Sequence, residues 1–572
     1  MTSLLPHRTI IDDNYYLRLH SASPSLHLIR MSIAHDISSL DDTLFKRKSF
    51  DFLQRNGDLN SLLDGYERLL PPKKRKSNRK RGKRKKSGRP STCATDSSKA
   101  RANEYARNQD LWSKNKGRLW TLIRTGDLRS ETLGNERMYF DFFSGLFTKE
   151  SHCLLDEPEV PQCRPVSITQ YITKEDIEPF VTRKLKSCSG PDGYLAEQVK
   201  GRLGEFLVLL NCCLLALDIP DSWRESSTIL LPKKDGANEP GDFRPITISP
   251  ILYRCLSAVL AQRLNKCVQL TTNQKGFVQG DGIHEGISIL RLLLKHRRGT
   301  RTAALDVSKA FDSVNQSSIF VACKWKGVED SSIGLLKNLY RDCHTRIRLN
   351  DSTSNAIRLS SGVKQGDPLS PVLFNIVIDQ LLENLNRTHL GVVLGAVRLP
   401  VLAYADDLAL TASSDEDLQG LIDITTTSLN KVGLSLNRSK SVVMGCQNPI
   451  LVDGTALANV TTIKYLGVVI NSDGKTRPSP DMFSPLLDKL LKTRLKPLQK
   501  LYLLRTHLIP TFVHKLIHED FTGNTLEIMD KQIRAAVKTF LFQVSGLPNA
   551  YVHLKVKNGG LGIPQLRWFI PN

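Results

Sequence analysis

One stretch, VRLPVLAYADDLALTAS (residues 397–413), constrains the fold of this chain more than any other. Two apolar runs, Val401-Leu402-Ala403 and Leu408-Ala409-Leu410, are joined by Ala405-Asp406-Asp407. The simplest arrangement is a tight hairpin whose strands enter a sheet and whose tip carries both acids. Carboxylates set among apolar strands are costly unless they are paired, hydrogen-bonded or bound to metal. Two acids in a turn are by themselves only a turn, so the pattern demands a partner.

TAALDVSKAFDSV (302–314) supplies one. Ala303, Ala304 and Leu305 read as a buried strand, Asp306 stands at its end, and SKAFDSV begins a helix. Asp312 reads as a cap or solvated residue at that helix start and is set aside. Asp306, Asp406 and Asp407, brought from neighbouring strand ends, can hold two Mg²⁺ ions roughly 3.5–4 Å apart, with Mn²⁺ as a substitute. Such a pair stabilises the attacking and leaving oxygens of an in-line displacement at phosphorus, and a few hard oxygens completed by substrate phosphates suit Mg²⁺. Between the two segments lies SSGVKQGDPLSPVLFNIVIDQLL (360–382). Gly362, Gly366 and Pro368 mark a loop there, and Ser370-Pro371 reads as the N-cap and first residue of the helix that follows. Gln365, flanked by this loop, is placed to contact a nucleotide. After the hairpin, Ser414 and Asp417 fit a capping box.

The charge balance points to a polyanion. The chain of 572 residues carries a formal net charge of +23, twelve units of which come from residues 73–89, KKRKSNRKRGKRKKSGR, a run without an acid. The remaining part is still basic, as phosphate-backbone binders are, although ribosome-like or chromatin-like binding would give the same balance. The eleven cysteines contain no C-x-x-C pair, which argues against zinc fingers and a secreted disulfide framework. No stretch of 18 apolar residues and no signal pattern are present, so no membrane partner is expected. PPKKRK (71–76) and the run behind it, through residue 89, resemble a nuclear import signal; a solvated basic tail that holds RNA loosely would have the same composition.

Four regions follow from composition and patterning. Residues 1–98 form a poorly patterned extension that contains the basic run. Residues 99–164 open with KARANEYARNQDLWSKNKGRLWTLIRTG, read as one basic helix whose Trp112 and Trp120 favour packing over base stacking. Residues 165–475 mix helices and strands, and 476–572 are mainly helical. The class is α+β.

Taken together, the stretches resemble the palm of a right-hand polymerase, specifically a reverse transcriptase. LDVSKAFDSV, GVKQGDPLSPVLFN and YADD are similar to motifs A, B and C, in order. VGLSLNRSKSVVM (432–444) and IKYLGVVI (463–470) resemble motifs D and E. GPDG (190–193), ILLPKKDGANEPGDFRPITISPILYR (229–254) and QKGF (274–277) resemble the fingers motifs of non-LTR elements. The resemblance implies fingers and palm over 165–475 and a thumb over 476–572. It implies that Asp306, Asp406 and Asp407 bind metal, Gln365 and Gly366 line the nucleotide site, and Lys233 and Arg244 hold the triphosphate. It further makes Phe311 the steric gate against a 2′-hydroxyl and Lys440 the general acid for the pyrophosphate. Template RNA, a DNA primer or nicked target DNA, and dNTPs are the implied partners.

RLKPLQKLYLLRTHLIPTFVHKL (494–516) and KNGGLGIPQL (557–566) resemble the thumb and following segment of site-specific non-LTR elements that carry a restriction-like endonuclease. YARNQDLWSKNKGRLW (105–120) is similar to the segment before their fingers, which holds element RNA. Full-length members add zinc-finger DNA readers and an endonuclease. Here Cys93 is the one cysteine before residue 150 and the chain stops at Asn572, so the expectation is a polymerase truncated after the thumb that does not choose or nick its own target. The competing readings are an idle remnant that binds RNA, an RNA-dependent RNA polymerase, which would place a polar residue at Phe311, and an intron maturase, which would not carry GGLGIP.

Overall fold

The computed structural model describes residue 60 and residues 96–570, apart from 127–135, 150–152, 156–164, 184–186, 235, 350–351, 477 and 543–545. The basic run, the import-like signal at 71–89 and Cys93 lie outside the described residues.

The central sheet is built from β1 (Arg301–Asp306), β2 (Val401–Tyr404), β3 (Asp407–Ala412), β4 (Val442–Met444) and β5 (Ala458–Val460), in the order β5-β4-β1-β3-β2. Its pairs are antiparallel except β4 with β5. Both faces are covered, which explains why the flanks of the acidic turn are apolar at every position rather than alternately. Ala303, Leu305, Val401, Ala403, Leu408 and Leu410 join the main core, with the helices Ser370–Asn386 and Asp415–Lys431. Leu402, Ala409 and Met444 point the other way, onto Ile287, Leu290 and Leu294 of the helix Gly282–His296 and onto the hairpin Thr462–Tyr465/Val468–Asn471. Ser414 accepts the Asp417 N–H and caps the helix after β3, as its sequence suggests.

A second sheet lies beside this palm. Glu225–Pro232 pairs antiparallel with Phe243–Ile248 and parallel with His344–Leu349. Tyr139 and Phe143 of the helix Glu136–Phe147 bury themselves against its Phe243 and Ile347. The helices Ser484–Lys492, Pro497–Leu503, Ile509–His518 and Gly523–Phe540 pack around a core of their own, in the region where the resemblance implies the thumb. The three units compose the α+β right-hand polymerase arrangement.

The basic segment before the fingers departs from its reading as one helix from Lys99. It is two, α1 (Asp96–Lys114) and α2 (Lys116–Thr125), so a boundary at residue 98 falls inside α1. Asn115 separates them; its side chain accepts the Arg118 N–H at 3.0 Å and caps α2, while Gly126 ends α2 at φ +82°. The pair packs on the thumb, far along the chain. Leu119, Leu122 and Ile123 enter the thumb core. Trp112 meets Tyr502 edge-on at 5.2 Å, Trp120 tilts against His507, and the side chains of Gln109 and Gln499 exchange hydrogen bonds. The tryptophans therefore pack, while Tyr105 stays exposed.

Candidate active site

The β2–β3 hairpin turns at Ala405-Asp406, with Asp407 opposite Tyr404 as the first residue of β3. Ala405 adopts φ +54°, a left-handed conformation that L-residues other than Asn and Asp rarely take. On the far side of β3, Asp407 sits directly opposite Asp306, the last residue of β1. Two carboxylates thus share one register position at the sheet's end, with Asp406 on the adjoining turn. The segment after Asp415–Lys431 fixes Asp306 from its other side. Ser441 Oγ accepts the Asp306 N–H at 3.1 Å, and the Asn437 N–H donates to the Asp306 carbonyl at 2.7 Å. The same segment brings Lys440 Nζ to 3.6 Å from Asp306 Oδ2.

Burial first, and the Asp407 charge second, push the Asp406 carboxyl up to about 6. Burial and Asp306 raise Asp407 likewise. Apart from Asp406's own backbone N–H, no described hydrogen bond engages the carboxylates of Asp406 and Asp407. Among the described residues no three His, Cys, Asp or Glu side chains close into a ready-made metal cage. The three acids are adjacent and mutually repelling rather than gathered on one point. That donor set, hard oxygens short of counter-charge, fits divalent cations that use few protein ligands and complete their shell with water and phosphate.

A cavity of about 1000 Å³ opens over the turn, lined by Asp306, Asp406, Lys233, Arg244, Phe311, Gln365, Gly366 and Lys440. Asp407 lines instead a neighbouring cavity of about 450 Å³, with Lys464, Tyr465 and Gly467 of the adjacent hairpin; Asp306 and Lys440 border both. Lys233 follows the strand Glu225–Pro232, donates to the Gly241 carbonyl at 3.0 Å, and has its pKa lowered chiefly by burial. Arg244 projects, exposed, from the paired strand. Phe311 stacks on Phe374 at 4.5 Å and 17°, so it both packs and faces the cavity. The loop carrying Gln365 is tied to the fingers by Thr247, whose N–H donates to the Gln365 carbonyl at 2.7 Å. Gly366, at φ +104°, passes so near that a Cβ would stand 3.0 Å from the Thr247 carbonyl oxygen.

Two sequence readings need correction. Asp312 is not a solvated helix start: it is buried, lines the cavity, and accepts Gln365 Nε2 at 2.7 Å. Burial pushes its carboxyl up to about 7, against the pull of Gln365, Lys233 and Lys309. The available signal was its place between Phe311 and Val314, an acid between apolar neighbours. Ser370 is not the N-cap either. It lies in the first turn, with Leu369 before it, and donates to the Lys364 carbonyl at 2.7 Å, closing the loop that presents Gln365. Lys309, in a left-handed conformation, also lines the cavity, and nothing in its immediate sequence announces it.

Residues 231–470 match the family described as reverse transcriptase (RNA-dependent DNA polymerase). The chain is 33% identical over 494 residues to the retrovirus-related Pol polyprotein from type-2 retrotransposable element R2DM of Drosophila melanogaster, covering 82% of this chain and 46% of that protein. It is 35% identical over 421 residues to the Pol polyprotein from type-1 retrotransposable element R2 of Popillia japonica, covering 70% and 59%. The chain carries a reverse transcriptase domain of the non-LTR retrotransposon kind. It spans about half the length of the curated relatives it matches. All nine residues singled out for the site fall inside the matched reverse transcriptase span, as does Asp312. Among solved structures it is similar to apo telomerase from Candida tropicalis, at 14% identity and a TM-score of 0.36 over 56% of this chain and 57% of that one. It is also similar to the RNA-dependent RNA polymerase of a human picobirnavirus, at 12% and 0.38 over 79% and 87%.

Proposed function

We propose that this chain is the RNA-directed DNA polymerase of a non-LTR retrotransposon, extending a primer 3′ end along an RNA template. The observation that carries the reading is the convergence on one cavity of the acid that ends β1, the acid of the β2–β3 turn, two cations of the fingers, an aromatic ring and Gln365. Asp306, Asp406 and Asp407 would hold two divalent ions, Mg²⁺ or in substitution Mn²⁺, which when bound supply positive charge for the attacking and leaving oxygens. Lys233 and Arg244 draw the triphosphate of a dNTP to the fingers side of the cavity. Phe311, braced by Phe374, fills the space a 2′-hydroxyl would need. Gln365, with its amide nitrogen committed to Asp312, presents its carbonyl oxygen to the nucleotide, and Gly366 leaves room for it. Lys440 donates the proton that the departing pyrophosphate requires. The second cavity, with Asp407, Lys464 and Tyr465, suits the primer terminus. In this reading residues 165–475 are fingers and palm, 476–572 the thumb, and residues 99–164 carry the basic helices. Template RNA and primer or nicked target DNA are the partners, and residues 71–89 direct the chain to the nucleus. Among the described residues no helix is long and apolar enough to cross a membrane.

The test is Mg²⁺-dependent extension of a DNA primer on an RNA template with dNTPs, wild type against Asp406→Ala. Incorporation by wild type alone supports the reading. Failure by both, with RNA binding retained, would favour an idle remnant, and equal incorporation by both would put the metals elsewhere.

A further inference from the structure

The central sheet ends on β2, yet the edge of β2 is not bare. Residues 273–276, the start of the QKGF motif, run parallel beside it through a bridge between Gln274 and Ala403. The Ala403 N–H donates to the Asn273 carbonyl at 3.0 Å and the Lys275 N–H to the Ala403 carbonyl at 2.7 Å. Asn273 Nδ2 adds a bond to the Val401 carbonyl at 2.8 Å. The added strand brings Gln274, only 3% exposed, directly under the acidic turn. There its side-chain oxygen accepts two backbone N–H groups at 2.9 Å, those of Gly276 and of Ala405.

The geometry points to Gln274 as the positioning residue that sets the Ala405-Asp406 turn, and through it the placement of the Asp406 carboxylate; this rests on the polymerase reading of that turn. Ala405 is held at φ +54°, which an alanine does not choose and which persists only where its surroundings over-determine it. The one side-chain acceptor described for its N–H is Gln274. Because the Gln274 oxygen receives two N–H groups, the orientation of the amide is fixed. Among the described residues its nitrogen finds no partner. A buried amide with an unanswered donor calls for an explanation, and the two backbone bonds to its oxygen supply one. Gly276 makes the approach possible, since a Cβ there would stand 2.5 Å from the Ala405 nitrogen. Asn375 locks Gly276 in turn, donating to its carbonyl at 2.7 Å from the helix Ser370–Asn386. The peptide just before Asp406 is thus braced from the strand at 273–276 and, through Gly276, from the helix behind motif B. Loss of the brace lets the turn relax and moves Asp406 relative to Asp306 and Asp407, whose strand pairing does not depend on Gln274.

Gln274→Met, which keeps the length and removes the acceptor, tests this, with Gln274→Glu, which keeps acceptor oxygens, as the conservative partner. The first readout is residue-resolved amide hydrogen exchange without metal or substrate. Ala405 should exchange at least tenfold faster in Gln274→Met and recover protection in Gln274→Glu, while Leu408 and Ala409 in the paired strand stay unchanged. The second is the Mg²⁺ dependence of primer extension per active molecule. The half-saturating Mg²⁺ should rise at least fivefold in Gln274→Met, with the KM for dNTP within twofold of wild type. Unchanged exchange at Ala405 overturns the inference. So does exchange that rises throughout β2 and β3, which marks a general packing role, or a lost clamp with an unshifted Mg²⁺ requirement. Should wild type fail to polymerise, the exchange result still decides the clamp, and the failure belongs to the polymerase reading.

Discussion

Replacing Asp312 with Asn should stabilise the protein, and should do so more as the pH rises. Asp312 is almost wholly buried and its carboxyl is moved from an ordinary 3.8 up to about 7, with burial the leading cause. The folded state therefore disfavours the ionised form, and the penalty is absent below about pH 4, grows as pH rises, and levels off above about pH 7. At ~1.4 kcal/mol per pH unit of displacement, it amounts to about 2 kcal/mol at pH 5 and about 4 kcal/mol at pH 8. The attraction of Lys233 and Lys309 and the bond from Gln365 are already contained in that position. Asparagine stands in for the protonated acid and still offers an oxygen to Gln365 Nε2. Urea unfolding of both proteins in metal-free buffer, followed by tryptophan fluorescence through the buried Trp223, should show the variant ahead by ~2–3 kcal/mol more at pH 8 than at pH 5. Parallel profiles, with the same difference between the proteins at both pH values, would refute the claim that this acid is held protonated by burial.

Phe311→Val should open the cavity where the ring now lies on Phe374. Discrimination for dNTP over rNTP should fall by about tenfold or more, on the scale of a missing pocket contact, and kcat/KM ratios for the two nucleotide classes within twofold of wild type would reject the gate. Trp112→Ala removes the edge-on contact with Tyr502 and the platform under Lys116. Docking of α1–α2 on the thumb should weaken by about 2 kcal/mol, read as faster tryptic cleavage within residues 96–126, while an unchanged cleavage rate would mean that α2 alone carries the dock.

What could be read in the sequence was whatever local pattern controls. The acidic hairpin, the strand ending at Asp306 and the Ser414 cap each depend on residues within a dozen positions, and each lies where that pattern puts it. The continuous apolar flanks of Asp406 and Asp407 signal strands entering a sheet; that both faces of the sheet are covered is seen only in the structure. Asp312 escaped because its environment is made by Gln365 and Lys233, residues distant in sequence, and an isolated Asp near a helix start has a solvated explanation ready to hand. A Ser-Pro pair suits both the cap and the first turn, so the local pattern leaves Ser370 ambiguous by one position, and the hydroxyl's partner at Lys364 is set by the loop. The binding of α1–α2 to the thumb has no local signature at all: Trp112 and Leu119 show only that some surface must cover them.

That last contact has a consequence for how the chain is made. Asn108 bonds to the Arg494 carbonyl across 386 positions of sequence, and Gln109 to Gln499 across 390. At roughly 5–20 residues per second, a ribosome that has released α1 and α2 needs on the order of 20–80 s to deliver the helices that bury them. Throughout that interval Trp112, Leu119, Trp120 and Leu122 have no surface to pack on. The nascent chain therefore carries an apolar, basic hook that stays open until the helices between residues 484 and 540 emerge to cover it.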